Sequence, residues 1–223
     1  DGMIDNAAAL AYTPVRYYPY IELERGAGKG LLRALAGHAC VVISDDFPCF
    51  MLPNMLAAAA DQVPVRMEKI DSNGLLPMRL ADNIFPTAYN FRQYLQRELP
   101  QHLLQFPQPD PLAELNLPLL GALPDDILQK WPAADLSAWQ TSRSKMLAKL
   151  PIDHSVGVVE QRGGQRAAQQ QLELFLQQRL ARYNDERNQP QQEVTSGLSP
   201  YLHFGHISLH RIFTELAAQE QWG

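Results

Sequence analysis

One continuous apolar run, followed by a helical pattern and a second predicted strand, constrains the fold of this chain most strongly. Residues 39–43 are continuously apolar and lead into Asp45 and Asp46. Residues 53–62 are rich in small apolar side chains and predict a helix, and residues 63–70 predict a second strand. Continuous apolar runs are typical of strands in a parallel sheet, because both faces of such a sheet are buried. The strand–helix–strand order therefore predicts an α/β fold with a doubly wound parallel sheet.

Three further elements are predicted around this pair of strands. Residues 15–22 alternate in a way that indicates a half-buried strand, and Pro19 favours an edge position because it lacks an amide donor. Residues 28–39 predict a short helix, and residues 88–104 predict a longer one with apolar side chains at helical spacing. Together these elements predict that residues 1–105 form a Rossmann-like α/β domain.

The character of the chain changes after residue 105. Prolines divide residues 106–132 into short pieces, so residues 106–155 are expected to form an extended connector along the surface. Residues 156–223 are predicted to be helical and to begin a second domain. Their apolar side chains form one stripe at helical spacing: Leu172, Phe175, Leu176, Leu180 and Tyr183.

Composition limits the classes of protein that this chain can represent. The 223 residues are 46% hydrophobic with a net charge of -5, which is typical of a globular protein and argues against a dedicated polyanion binder. Cys40 and Cys49 provide no disulfide framework and are expected to be reduced, buried thiols of a cytoplasmic protein. No apolar run is long enough to span a membrane. Because the sequence starts at Asp1 and ends at Gly223 after a helical pattern, we expect it to be part of a longer protein.

Two patterns in the α/β part are weak site candidates. Gly26, Gly28 and Lys29 resemble a phosphate-binding loop, but the spacing fails and no Ser or Thr follows the lysine. A turn that opens a helix is the expected structure there. Asp45 and Asp46 follow a predicted strand, where open α/β folds bind ligands, but acidic residues at strand ends also form ordinary turns.

Two patterns in the helical part are also weak candidates. His203, His206 and His210 would share one face of a single helix, but an intervening glycine is expected to break that helix, so no metal site is assigned. Asp185 and Glu186 are expected to mark a helix end followed by a loop. No nucleophile and base can be paired, so no catalytic residue is assigned and any chemistry would come from a cofactor.

A hydroxyl-rich segment, residues 195–199, is the strongest site candidate. Its members are Thr195, Ser196, Gly197, Leu198 and Ser199. A hydroxyl-rich turn at a helix start offers amide N–H groups and hydroxyls to an anion. Taken alone, the same residues would equally suit a loop with a helix cap.

The surrounding stretch resembles the flavin-binding signature of the DNA photolyase/cryptochrome family, particularly its class II branch. Residues 183–190 carry a Tyr-x-x-x-Arg-Asn-x-Pro element, and residues 195–205 carry Thr-Ser-x-Leu-Ser-Pro-Tyr-Leu-x-Phe-Gly. Residues 45–48 and 63–77 are also similar to strand ends and loops of that family's antenna domain. The resemblance spans most of the chain and is weakest in the proline-rich connector.

The resemblance implies an FAD site in the helical part. Thr195, Ser196 and Ser199 would contact the diphosphate and ribityl chain of FAD, and Gly197 and Leu198 would contribute backbone groups. Tyr183 would line the same pocket. Arg187 would face either the DNA backbone or the flavin phosphates, and we assign it first to DNA. The family often holds an antenna chromophore, a deazaflavin or a folate, in its α/β domain.

The implied activity is light-driven electron transfer from reduced FAD to a cyclobutane pyrimidine dimer in UV-damaged DNA, by a monomer that does not bind membranes. The family's first strand would precede Asp1, and most of its helical domain would follow Gly223, so we expect this fragment to be inactive alone. Residues 160–223 also carry more acidic than basic side chains, which is unlike a DNA groove. Two alternatives remain open: a cryptochrome-type blue-light photoreceptor with the same FAD fold, and an α/β interaction module without flavin.

Overall fold

The structure is a computed structural model of the chain and describes residues 1–103 and 106–221. In chain order its elements are α1 (Gly2–Leu10), α2 (Leu31–Ala36), β1 (Val41–Asp45), α3 (Leu52–Ala60), β2 (Arg66–Ile70), α4 (Ala88–Glu98), α5 (Asp125–Lys130), α6 (Leu136–Thr141), α7 (Arg143–Leu147), α8 (Gln165–Leu174), α9 (Leu180–Glu186), α10 (Ser199–His203) and α11 (Leu209–Gln219). Two 3₁₀ turns, Met78–Leu80 and Leu99–Gln101, and a π-helical stretch, Phe175–Arg179, complete the set.

The chain divides into two compact units. The α/β unit comprises Met3–Ile70 and Leu112–Gln161. The helical unit comprises Asp1–Gly2, Asp71–Pro111 and Arg162–Gly223. The domain boundaries proposed at residues 105 and 155 stay a prediction.

A parallel strand–helix–strand motif forms the centre of the α/β unit. β1 and β2 pair in parallel, with Val41 opposite Arg66 and Asp45 opposite Ile70. Helix α3 lies between them in sequence, as the small apolar residues predicted. Both predicted strands are therefore confirmed, each beginning two or three residues later than expected. Within the described residues the sheet has two strands, which is compatible with a partial α/β domain.

The expectation of an edge strand over residues 15–22 was wrong, because that segment is irregular. Its backbone is used elsewhere in the same unit. The Pro19 carbonyl accepts the Ala134 amide N–H at 2.8 Å, and Arg16 Nη2 donates to the Leu120 carbonyl at 3.2 Å. The segment is therefore hydrogen-bonded to residues 120 and 134 instead of to a strand, and Pro19 removes one donor that a sheet ladder would need.

Trp131 and the glycine-rich turn form a second packed region of the α/β unit. Trp131 is 5% exposed, and its indole Nε1 donates to the Ala27 carbonyl at 2.9 Å. Gly30 adopts a φ of 92° immediately before α2, which confirms the expected turn opening a helix. The predicted connector is irregular and mostly exposed over residues 106–124, as expected, but residues 125–147 form the helices α5, α6 and α7 and are not extended.

The predicted apolar stripe forms the core of the helical unit. The buried cluster consists of Ala168, Leu172, Phe175, Leu176, Leu198 and Tyr201. Leu180 and Tyr183 pack against this cluster from the outside. The stripe is therefore confirmed, and it gathers residues from α8, the π-helical stretch, α9 and α10 into one core.

Two further expectations need revision. The helix predicted over residues 88–104 ends as α4 at Glu98 and continues as the 3₁₀ turn Leu99–Gln101, while Leu104 lies outside the described residues. Cys40 and Cys49 are exposed rather than buried. Cys40 directly precedes β1, and Cys49 lies in the irregular segment that follows it, so neither belongs to the strand.

Candidate functional site

Two buried apolar residues, one before the hydroxyl-rich segment and one within it, fix the position of the segment on the core. Val194, which precedes the segment, is 0% exposed, and Leu198 within it is 2% exposed. Thr195 and Ser199 are exposed. Because burial of the two apolar side chains holds the backbone against the core, the hydroxyl side chains remain on the solvent side. Helix α10 then begins at Ser199, so the segment is a turn at a helix start, as expected.

Two polar side chains donate hydrogen bonds to the backbone carbonyls of the segment. Gln171 Nε2 donates to the Ser196 carbonyl at 2.7 Å, and Arg179 Nη1 donates to the Thr195 carbonyl at 3.1 Å. Gln171 lies on α8 and Arg179 ends the π-helical stretch. Two consecutive peptide groups are therefore held by the same run of helix.

Gly197 lies directly against one of these two residues. Its φ is 67°, in the left-handed region that side chains with a Cβ rarely adopt. A Cβ built at this position would lie 2.7 Å from Gln171 Nε2, which is closer than van der Waals contact allows. The left-handed φ favours glycine here, and a Cβ would in addition displace the amide end of the Gln171 side chain.

The hydroxyl groups of the segment differ in how they are used. Ser196 Oγ accepts the Leu198 amide N–H at 3.4 Å, so this amide, one of the expected backbone contacts, is turned inward. Thr195 Oγ1 and Ser199 Oγ have no hydrogen-bond partner in the part of the chain that the structure describes. Two exposed hydroxyls on an anchored backbone are donors that fit the oxygen atoms of a diphosphate.

Tyr183 and Arg187 lie one helical turn apart beside the same core. The Tyr183 ring meets Phe175 edge to face, with ring centroids 5.5 Å apart. The Arg187 guanidinium lies 5.6 Å from the centre of the Tyr183 ring. Arg187 is exposed. Tyr183 and Leu198 therefore share one hydrophobic cluster, while the Arg187 charge faces outward and is available to an anion.

The three histidines do not share a helix. Helix α10 ends at His203, Gly205 adopts a φ of 66°, and His210 belongs to α11. The glycine break is thus confirmed. His206 Nδ1 accepts the Gly164 amide N–H at 3.0 Å and so supports the start of α8. Residues 1–103 and 106–221 contain no group of three or more His, Cys, Asp or Glu side chains that could hold a metal ion.

The acidic pairs make structural contacts. Asp46 Oδ1 lies 2.9 Å from Lys69 Nζ, and the Asp46 amide donates to the Ile70 carbonyl at 2.8 Å, which ties the end of β1 to β2. Glu186 ends α9, as expected, and pairs with Arg182 at 2.9 Å. Surface pairs four residues apart on a helix contribute little stability.

Two cavities of about 670 and 280 Å³ both lie within the α/β unit. The larger is lined by the glycine-rich turn, Tyr20, Glu22 and the leucines of α2. The smaller lies between α3 and β2. The hydroxyl-rich segment lines neither of them.

The sequence analysis did not identify Gln171 and Arg179 as residues of the site, although their spacing indicated it. Gln171 follows Ala168 by three residues, and Arg179 follows Phe175 by four, so both occupy positions at the spacing of the buried stripe. A polar side chain on a buried face needs a hydrogen-bond partner. The partners are the two carbonyl oxygens of the hydroxyl-rich segment.

No family model matches this chain. Three curated proteins match it, and each is named deoxyribodipyrimidine photo-lyase. The protein of Potorous tridactylus is 25% identical over 179 residues, which cover 78% of this chain and 30% of the relative. The protein of Arabidopsis thaliana is 27% identical over 157 residues, covering 67% of this chain and 28% of the relative. That of Oryza sativa subsp. japonica is 27% identical over 157 residues, covering 68% and 28%.

These matches support membership of the photolyase family for this chain. The chain spans less than a third of the length of these curated relatives. Among the described residues, no helix is both long enough and apolar enough to cross a bilayer.

Proposed function

We propose that this chain is part of a class II-like deoxyribodipyrimidine photolyase, which repairs cyclobutane pyrimidine dimers in UV-damaged DNA under light. The observation that carries the proposal is the hydroxyl-rich segment. Its two exposed hydroxyls have no hydrogen-bond partner among the described residues, and its backbone is held by Gln171 and Arg179. The names of the three relatives support the same activity.

The proposed cofactor is FAD, held by the helical unit. Thr195, Ser196 and Ser199 would bind its diphosphate and ribityl chain, with the backbone amide of Gly197 beside them. The Leu198 backbone, also expected there, is already used within the chain, because its amide donates to Ser196 Oγ and its carbonyl accepts the Leu202 amide. The donor set fits a diphosphate, since hydroxyls and amide N–H groups bind phosphate oxygens without a lysine. When bound, FAD would supply the light-driven electron that splits the cyclobutane ring and then returns.

Tyr183 and Arg187 have distinct proposed roles. Tyr183, packed between Phe175 and the Arg187 guanidinium, would form one wall beside the cofactor. Arg187, exposed and positively charged, would contact a DNA phosphate, or alternatively a flavin phosphate. The proposed enzyme would flip the dimer out of the duplex, which costs least for a damaged base pair. Arginine contacts to DNA phosphates near its cavity would supply the binding affinity.

Two further parts of the proposal concern the longer protein. Because the chain spans 28–30% of its relatives, we assign repair to the full-length gene product and expect the 223 residues alone to be inactive. A deazaflavin or folate antenna in the α/β unit is also proposed. The place proposed for it is the open depression of about 670 Å³ at the glycine-rich turn.

The test is to purify the full-length gene product and record its visible spectrum and its repair of dimer-containing DNA in blue light and in darkness. We expect bound FAD and repair only in light. Bound FAD without repair would favour the photoreceptor alternative, and absence of flavin would reject the proposal in favour of an interaction module.

A matched pair of variants tests the site itself. The double variant Thr195→Val/Ser199→Ala removes both exposed hydroxyls and should weaken FAD binding by about 10-fold or more, since each lost hydrogen bond to a charged group costs a large factor in affinity. Thr214→Val is the control, because Thr214 Oγ1 donates to the His210 carbonyl, away from the segment. Equal FAD binding by both variants would remove the two hydroxyls from the site.

A further inference from the structure

We infer that Gln171 and Arg179 are positioning residues of the hydroxyl-rich segment, which turn two consecutive peptide groups so that the Ser196 and Gly197 amide N–H groups face an anionic ligand. The inference rests on the proposed function, because the ligand in question is the FAD diphosphate. Its structural part, however, rests on contacts within the helical unit and can be tested without flavin.

The Thr195–Ser196 and Ser196–Gly197 peptide groups point in the same direction. The carbonyl oxygens of Thr195 and Ser196 both face the helix that carries Arg179 and Gln171, at 3.1 and 2.7 Å. In a trans peptide the C=O and N–H bonds point in opposite directions, and none of the described peptide bonds is cis. The N–H groups of Ser196 and Gly197 must therefore both point away from that helix.

The Ser196 and Gly197 N–H groups are available to a ligand. Neither donates to any group in the described part of the chain, whereas the next amide, that of Leu198, donates to Ser196 Oγ. Consecutive N–H groups directed to one side form a concave anion-accepting site. Thr195 Oγ1 and Ser199 Oγ flank these two amides in sequence, so four donors lie along five residues.

The hydroxyl-rich segment lies in close contact with both Gln171 and Arg179. Gly197 leaves no room for a Cβ above Gln171, which shows that the segment rests directly on this side chain. The Arg179 side chain is only 20% exposed, while its ion-pair partner Glu193 is 94% exposed and 3.9 Å away. The Thr195 carbonyl, at 3.1 Å, is thus a nearer partner of the Arg179 guanidinium than the Glu193 carboxylate is.

The test uses Gln171→Leu and Arg179→Met, which remove the donors and retain most of the side-chain volume. Gln170→Leu and Arg182→Met are matched controls, because Gln170 and Arg182 are exposed neighbours on the same run of helix. In the full-length protein we expect each test variant to bind FAD about 10-fold more weakly, as loss of one orienting hydrogen bond implies. The controls should change the affinity less than about 2-fold.

Rescue by a conservative variant separates positioning from simple packing. Arg179→Lys retains a donor and the charge and should recover most of the FAD affinity that Arg179→Met loses. A purely structural role would instead make Arg179→Lys and Arg179→Met alike. The visible circular dichroism of bound flavin should change in Gln171→Leu and stay unchanged in Gln170→Leu, because it reports the orientation of the cofactor.

A flavin-free measurement distinguishes failure of this inference from failure of the proposed function. Amide hydrogen exchange of Leu198, without FAD, should accelerate in Gln171→Leu and Arg179→Met and not in the controls. If the unsubstituted protein binds FAD and both test variants bind it equally well, the inference is overturned and the proposed function stands. If the unsubstituted protein binds no FAD, the proposed function fails, and unchanged exchange in both test variants would then overturn the positioning role as well.

Discussion

The His206 imidazole accepts a hydrogen bond from the Gly164 backbone amide through Nδ1, at 3.0 Å. Gly164 is buried and lies at the N-terminal end of α8, where the first amides have no carbonyl partners within the helix. This contact joins the loop after α10 to the helix that carries Gln171. A histidine that sequence analysis considered as a metal ligand is thus part of the support for the candidate site.

The first prediction concerns this contact. His206→Leu should lower the free energy of unfolding by about 1–3 kcal/mol, because the buried Gly164 amide loses its acceptor. His203→Leu, at an exposed position, is the control and should change stability by less than about 0.5 kcal/mol. Urea unfolding followed by far-UV circular dichroism measures both. Equal stability of the two variants would show that water replaces the imidazole.

The second prediction separates backbone strain from close contact at two glycines. Gly197 and Gly205 have nearly the same φ, 67° and 66°, but a Cβ meets Gln171 at Gly197 and meets nothing within 4 Å at Gly205. Gly205→Ala should cost about 1–2 kcal/mol from the left-handed conformation alone. Gly197→Ala should cost about 1 kcal/mol more, because it also disrupts the Gln171–Ser196 hydrogen bond.

A double-mutant cycle checks the origin of that difference. In a Gln171→Ala background the obstructing amide is absent, so the extra cost of Gly197→Ala should disappear. Additive effects of the two substitutions would contradict the contact argument.

The third prediction concerns the core of the helical unit. Leu172 is 0% exposed, so Leu172→Ala should lower the free energy of unfolding by about 2–5 kcal/mol through lost burial and a residual cavity. Ile84, in the same unit, is 97% exposed, and Ile84→Ala should change it by less than about 0.5 kcal/mol. Thermal unfolding of both variants against the unsubstituted chain makes the comparison, and similar losses would place Leu172 outside the core.

The fourth prediction concerns acid stability of the α/β unit. The Ser137 side-chain hydroxyl first, and then the Ala138 and Ser137 amides, lower the pKa of Asp135 below its ordinary value of 3.8. A lowered folded-state pKa means that the stabilising contribution is present above the unfolded value and lost as the pH falls through the folded value. The cap on α6 should therefore weaken only at a pH below 3.8. Because Asp135 is exposed, we predict the direction and a small effect.

Asp135→Asn is the appropriate variant for the acid experiment, since it keeps an acceptor oxygen and does not titrate. Helicity measured from pH 7 to pH 2 should fall less steeply at the acid end in this variant. Parallel acid transitions of the two proteins would show that the cap does not contribute.

The fifth prediction distinguishes the two proposed roles of Arg187. If Arg187 contacts DNA, Arg187→Gln should weaken binding of dimer-containing DNA by the full-length protein and reduce the salt slope by about 1, without changing FAD affinity. If it contacts a flavin phosphate, FAD affinity falls instead. Arg182→Gln is the control, since Arg182 pairs with Glu186. No change in either affinity would exclude both roles.

The larger elements could be predicted from sequence because their signals are local. The apolar run at residues 39–43 and the helix pattern after it predicted β1 and the strand β2 that follows, and the spacing of Leu172, Phe175 and Leu176 predicted the core stripe. The strand expected around Pro19 was wrong because alternation also occurs in extended segments that pack on a loop. Whether such a segment joins a sheet depends on a partner strand, which local periodicity does not encode.

The sequence by itself determined the elements, the family resemblance and the segment that carries hydroxyl groups. Tertiary structure alone decided what holds that segment. Gln171 and Ser196 are 25 residues apart, and Gly164 and His206 are 42 apart. Helical and strand periodicities extend over a few residues only, whereas these contacts form when separate elements pack on one core. The direction of the Ser196 and Gly197 amides therefore follows from packing.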